Sequence, residues 1–210
     1  MQRDKVQTRK KIMEAVERLL VKTGFQNIGI NSIAREAGVD KVLIYRYFGG
    51  LPQLLRACAE EGAYWPSLRE LLGDEVKLHR AANVDDLIIN LLTNYLRELR
   101  RRKNTQEILR WDFLYRNELT EQLDTAREKQ GSELFAALSV DSSRYPEIDL
   151  PAITALLHAG IGYLVLRAKS ADKYLGIDLH SNYGWMRLEK AVRLLIKGYF
   201  AQVQTKPAKK

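Results

Sequence analysis

The run from Ile33 to Phe48 constrains this chain more than any other part of it. Ile33-Ala34-Arg35-Glu36-Ala37 reads as one short helix and Lys41-Val42-Leu43-Ile44-Tyr45-Arg46-Tyr47-Phe48 as a second, with only Gly38-Val39-Asp40 between them. Gly38 can end the first helix in a left-handed conformation that other residues resist. Asp40 stands where the second helix needs an N-cap, its carboxylate placed to accept orphan amide N–H groups of the first turn. Two helices joined by so tight a turn form a helix-turn-helix, whose second helix enters a DNA major groove. Lys41, Val42 and Tyr45 share one side of that helix; a lysine can donate to guanine O6/N7 and a valine can touch a thymine methyl. Lys41, Val42, Leu43, Tyr45, Arg46 and Tyr47 are the expected DNA-contacting residues, with Asn31 and Arg35 on the preceding helix behind them. Ile44 and Phe48 are assigned to the core.

The charge distribution agrees. Net charge is +8, yet residues 1–50 hold ten Lys/Arg against five Asp/Glu, and Lys206, Lys209 and Lys210 add three more positive charges. Residues 51–205 are neutral. A basic segment on a neutral body is the footprint of polyanion binding at one end. A chain of 210 residues, 46% hydrophobic and 29% charged, is that of a folded globular protein rather than a disordered one. The apolar run Ile161–Leu166 falls far short of the roughly 20 residues of a membrane span. No apolar stretch backs Met1-Gln2-Arg3-Asp4-Lys5, so neither a secretory signal nor a membrane partner is expected. Cys58 is the one cysteine and cannot close an internal disulfide, which fits a reducing cytoplasm.

Spacing near 3.6 residues dominates the chain, and few alternating runs leave room for a sheet. Ile12, Ala15, Val16, Leu19 and Leu20 define a first helix ending near Gly24. With the two helices above it makes a three-helix domain over residues 1–50, cored by Ile12, Val16, Leu19, Phe25, Ile33, Val39, Ile44 and Phe48. A fourth helix is predicted from Pro52 toward Pro66 and Gly73. Another carries Leu87, Ile88, Leu91, Leu92, Tyr95 and Leu99 behind Asn83 as its cap. Helix is predicted from Thr105 to Leu138 with a break near Asn117, then a loop over 139–150. Two closing helices, 151–170 and 182–203, flank a polar loop. The fold class is all-α: an N-terminal three-helix helix-turn-helix domain at 1–50, a larger helical domain at 51–205, and a basic tail at 206–210.

Thr8-Arg9-x-x-Ile12, Gly24-Phe25, Ile33-Ala34, Ala37-Gly38-Val39, Tyr45-x-Tyr47-Phe48 and Leu54-Leu55 stand in a fixed order across residues 8–55. On these residues the chain resembles the TetR family of bacterial transcriptional regulators. The resemblance implies a cytoplasmic homodimer that binds a double-stranded DNA operator, an inverted repeat, and represses transcription. It makes 51–205 a ligand-binding and dimerisation domain and implies release from the operator when a small-molecule effector binds there. It also puts Tyr47 at a phosphate-holding position. Three positions depart from the family pattern. Ile28-Gly29 replaces two hydroxyl residues, Val42 replaces a common glycine, and Leu51 replaces a lysine that clamps a phosphate. Each lost phosphate contact weakens the salt-dependent part of binding. Arg3, Lys5, Lys10 and Lys11 on the first helix are candidates to replace it. The departures also leave open a helix-turn-helix-derived ligand-binding or interaction module with weak DNA binding.

In the larger domain Trp111, Phe113, Leu114 and Tyr115 crowd together, and Tyr95, Tyr163 and Tyr199 can reach the same interior. Aromatic walls with a few hydroxyls suit a modest apolar ligand, and a plain core is the competing reading. Trp111, Tyr115, Tyr95, Tyr163 and His158 are the candidate effector-contacting residues. Ile153, Leu157, Gly160, Ile161 and Leu164 on the penultimate helix, with Leu188, Val192, Leu195 and Tyr199 on the last, are the candidate dimer interface, a four-helix arrangement. His79, His158 and His180 lie far apart, so no metal site is expected. Without a nucleophile motif, a Gly-rich phosphate loop or a Cys–His arrangement, neither a cofactor nor enzyme activity is expected.

Overall fold

The computed structural model describes residues 2–62, 64–73, 83–112, 118–138 and 149–204. Through them run the helices α1 (Gln2–Thr23), α2 (Ile30–Ala37), α3 (Lys41–Phe48), α4 (Leu51–Glu61), α5 (Leu68–Leu72), α6 (Val84–Arg101), α7 (Lys103–Asp112), α8 (Glu118–Leu138), α9 (Leu150–Arg167) and α10 (Asn182–Gln204). A 3-10 turn (Phe25–Asn27) follows α1. The polar loop expected between the last two helices contains an antiparallel hairpin instead, β1 (Lys173–Tyr174) paired with β2 (Ile177–Asp178). Otherwise the all-α reading holds among the described residues.

The chain divides into two compact units, Met1–Trp65 with Arg102–Ser132 and Pro66–Arg101 with Glu133–Lys210. In the first, Ile12, Ala15, Val16, Leu19 and Leu20 of α1 meet Ile33 and Ala34 of α2 and Ile44 of α3. Leu54, Cys58 and Ala59 of α4, Tyr64, Ile108 of α7 and Leu123 of α8 fill the same core. The boundary expected after residue 50 therefore does not bound this core. Three short helices enclose too little apolar surface alone, and α4, α7 and α8 complete the enclosure. Phe25, Val39 and Phe48 sit at its rim, partly buried. The Thr105 hydroxyl donates to the Tyr64 carbonyl, fixing the start of α7 to the chain beyond α4.

The fourth helix stops at Gly62, short of the Pro66–Gly73 end expected for it. Ser67 then opens the separate α5: its Oγ accepts from Glu70 N, and the Glu70 carboxylate accepts from Ser67 N at 2.8 Å.

The second unit is built on α6, whose Leu87, Ile88, Leu91, Leu92, Tyr95 and Leu99 are all buried, as their spacing predicts. Helices α5, α9 and α10 pack around it. Arg97 grips Glu189 at 2.9 and 2.5 Å, and Lys197 bridges Asp85 at 2.7 Å and Asp86 at 2.8 Å, so two sets of ion pairs tie α10 to α6. Ser181 caps α10, its Oγ accepting from Gly184 N at 2.9 Å. Gly184 is required there, because a Cβ would overlap the Asp178 carbonyl.

Candidate DNA-binding interface

The recognition helix α3 is set by its two ends. Gly38 ends α2 at φ 64°, ψ 37°, and the turn closes with Val39 N donating to Ala34 O at 3.0 Å. Asp40 caps α3, its Oδ1 accepting from Val42 N at 2.8 Å. Gly49 ends α3 at φ 89° with its N–H on Tyr45 O at 2.8 Å. Eight helical residues between two positive-φ glycines leave no slack in the angle of α3. Ile44 is fully buried and pins the helix to the core, while Phe48 lies at the rim.

The residues expected to meet DNA are then displayed together. Lys41 and Arg46 are exposed and make no ion pair among the described residues. Val42 and Tyr45 are 53% and 54% exposed, unusual for side chains of their size. Asn31 is exposed on α2, while Leu43 and Tyr47 are half-buried and so share their surface with the domain.

Helix α1 braces both helices of the motif. Arg18 Nε binds Glu36 at 2.8 Å and Lys22 Nζ joins it at 3.1 Å, tying α1 to α2 and holding the Glu36 carboxyl below the usual carboxylate range. Arg9 stacks its guanidinium 5.0 Å from the Phe48 ring centre and pairs with Glu61, whose pKa it lowers through that hydrogen bond. Lys5 Nζ lies 6.0 Å from the Tyr47 ring centre. Of the four basic residues proposed from sequence to compensate for Leu51, Lys5 is thus set beside a candidate phosphate ligand. Leu51 itself is half-buried against the core. The missing hydroxyl cap at Gly29 is replaced from within α2: Ser32 Oγ accepts from Gly29 N at 2.9 Å and donates to Asn27 O at 2.7 Å.

Residues 12–58 match the family model described as bacterial regulatory proteins, tetR family. Residues 12–58 are therefore similar to the N-terminal region of that family. Solved structures agree over nearly the whole chain, as likenesses of fold. The fatty acid degradation regulator FadR from Bacillus halodurans superposes with a TM-score of 0.64 at 18% identity, covering 91% of this chain and 95% of that one. FadR from Bacillus subtilis, in complex with stearoyl-CoA, gives 0.63 at 16% identity over 89% and 96%. NalD from Pseudomonas aeruginosa, the secondary repressor of the MexAB-OprM multidrug efflux pump, gives 0.57 at 21% identity over 89% and 95%. No curated protein matches in sequence.

The candidate effector residues separate. Tyr95 of α6 and His158 of α9 come together inside the second unit, their rings stacked at 4.0 Å and 20°. Tyr163 does not join them: it is half-exposed on α9 and meets Tyr174 edge-on at 5.4 Å. Trp111 lies in the first unit, edge-on to Phe25 at 6.3 Å and pressed against Gly24. Tyr115 falls outside the described residues, as do Phe113, Leu114, His79 and the tail 206–210. Sequence reasoning missed Thr154, which is buried one helical turn before His158 with no hydrogen-bond partner for its Oγ1 among the described residues. Its cue was the i, i+4 spacing to His158.

The candidate interface residues also divide. Ile161 and Val192 are buried within the unit and serve its own core. Ile153, Leu157, Leu164, Leu188 and Tyr199 are half-buried, whereas Gly160 and Leu195 are exposed. Leu156 and Leu194, not singled out by spacing, are more exposed than any of these except in the case of glycine, at 72% and 62%. The run Arg97–Lys103 does not form a free basic patch, since Arg97 holds Glu189, Arg100 lies 4.5 Å over the Trp185 ring and Arg101 holds Glu98 at 2.9 Å.

Proposed function

We propose that this protein is a homodimeric, sequence-specific transcriptional repressor that binds an inverted-repeat operator and is released from it by a small apolar effector. The observation that carries the reading is α3: a helix fixed at both ends that shows Lys41, Val42, Tyr45 and Arg46 to solvent, with no side-chain partner among the described residues. Lys41, Val42 and Tyr45 read base edges, with Leu43 at the margin, while Tyr47, Arg46 and Asn31 hold the backbone. Dimerisation through α9 and α10 sets two α3 helices about 34–36 Å apart for successive major grooves. The exposed Leu156, Gly160, Leu194 and Leu195 support that choice of face.

The effector's polar group is assigned to the stacked Tyr95 and His158 and to Thr154, buried one helical turn before His158. The stearoyl-CoA bound by the FadR of Bacillus subtilis makes a long-chain acyl thioester a reasonable first probe.

The test is selection of bound sites from a random duplex library, repeated across a range of salt. The expected result is an inverted repeat whose binding weakens linearly in log–log form as salt rises. Failure to enrich any site at low salt would refute the DNA-binding reading and favour the interaction module.

A further inference from the structure

We propose that the β1–β2 hairpin is a docking arm that inserts Leu175 into a second copy of this chain. This rests on the dimer reading above and extends it to an element that the reading does not use.

The tip of the hairpin is built against local preference. Leu175 and Gly176 form its two-residue loop at φ 46° and 78°, the positive pair of a type I′ turn. Asn-Gly is the favoured sequence for such a turn, and a leucine at the first position is disfavoured by its Cβ. Leu175 is also 89% exposed, so among the described residues of one protomer nothing offsets either cost.

The base of the hairpin, by contrast, is firmly held. Asp178 Oδ1 accepts from His180 N at 2.8 Å and Ser181 N at 3.1 Å, and Leu179 N donates to Asp172 O at 2.8 Å. The buried Trp185 donates from Nε1 to Leu179 O at 2.7 Å. A rigid stem therefore presents an unfavourable, solvent-exposed leucine. Strain of this kind at an exposed site points toward function rather than stability.

Three observations choose a second copy as the occupant. First, the Tyr163–Tyr174 contact makes the hairpin continuous with the exposed face of α9, where Gly160 and Leu156 lie one and two turns back from Tyr163. Secondly, α9 carries no Asp, Glu, Lys or Arg before Arg167, yet only 22% of its length is buried in the protomer. Leu156, Tyr163, Leu175, Met186, Leu194 and Leu195 are each more than half exposed, which leaves apolar surface to bury against a second copy, a stable interface taking about 800 Å² from each partner. Thirdly, Lys173 stands opposite Asp178 in the ladder, so the arm has no net charge from this pair to repel its twin.

The experiment measures the dimer dissociation constant by sedimentation equilibrium for the full chain and for Leu175→Asn and Leu195→Asp. Leu175→Asn installs the preferred turn sequence, so its thermal unfolding at a concentration where both proteins are monomeric should not fall. Its dimer should nevertheless dissociate at least ten-fold more readily. In addition, a polarity-sensitive dye on Leu175→Cys should shift to the blue as the protein is concentrated; Cys58 is buried and does not compete for the label.

An unchanged dissociation constant for Leu175→Asn, beside a monomeric Leu195→Asp, would overturn the docking arm and leave the helical interface standing. A parent chain that stays monomeric at all concentrations would overturn both. So would a monomer that floats with phosphatidylcholine vesicles, which would give the α9 face to lipid.

Discussion

Gly24→Ala should be among the costliest single methyl additions in the first unit, and the structure separates two reasons. Gly24 sits at φ 71°, ψ 178°, a region that is essentially glycine-only and costs other residues about 1–3 kcal/mol. An added Cβ would also lie 2.8 Å from Cε2 of Trp111 and 3.0 Å from its Nε1, and nearer still to Cζ2. An indole ring packed edge-on to Phe25 cannot swing aside as a lysine tip would. Overpacking of this sort costs about 1–3 kcal/mol more. The combined loss is about 4 kcal/mol, a fall in Tm of roughly 8–16 °C for a chain of this size.

Trp111→Leu removes the atoms that clash but leaves the backbone demand untouched. If sterics supply half the loss, the double variant should be more stable than the sum of the single effects by about 1–3 kcal/mol. Urea unfolding followed by circular dichroism at one protein concentration measures this, because dimerisation makes midpoints depend on concentration. Strictly additive losses would place the whole effect in the backbone. A Gly24→Ala loss under about 1 kcal/mol would refute both causes, since it lies below the smallest strain expected for that region.

Three more outcomes are expected. Tyr47→Phe should weaken operator and random DNA by the same factor, since a phosphate contact carries no base information; a change in sequence preference alone, read by repeating the site selection, would reassign Tyr47 to the bases. Thr154→Val should raise the unfolding free energy measured in urea by about 1 kcal/mol, because it removes a buried hydroxyl without a partner among the described residues; a fall of similar size would mean that the hydroxyl is hydrogen-bonded. Glu36 has a folded-state pKa below its unfolded one, so its contribution is present above the unfolded value near about 4.3 and is lost as pH falls through the folded value. Glu36→Gln should therefore destabilise the protein at pH 7 by a margin that shrinks as pH falls below the unfolded value, and a difference that does not shrink with falling pH would refute the ion-pair account.

The parts that sequence made legible are those fixed by neighbours in the chain. Gly38, Asp40 and Gly49 specify the ends of α2 and α3 by local conformation alone, so the recognition helix and its exposed face could be read directly. The completion of the first core by Ile108 and Leu123 could not, because it depends on contacts across more than fifty residues. The Arg97–Glu189 pair spans 92 residues and is silent in sequence for the same reason. Tyr163 was expected inside because α9 is apolar almost all round, so its periodicity gives no polar face to orient it. The hairpin escaped notice because Leu175-Gly176 lacks the Asn-Gly that marks such turns.

That apolar symmetry of α9 suggests how the proposed effector and the proposed interface communicate. His158 stacks on Tyr95, and Thr154, one turn before it, is buried, while Leu156, Gly160 and Tyr163 on the same helix are exposed, within two turns. A packed helix responds to a new occupant by sliding or tilting as a body rather than by deforming locally. An effector wedged at His158 would displace Tyr163 and Leu156 with it, and the partner's α9 would follow by symmetry. Release from DNA sets one further condition. It needs only that the effector bind more tightly to the spacing of α3 helices that the operator does not accept, and that difference in affinity sets the largest release it can cause.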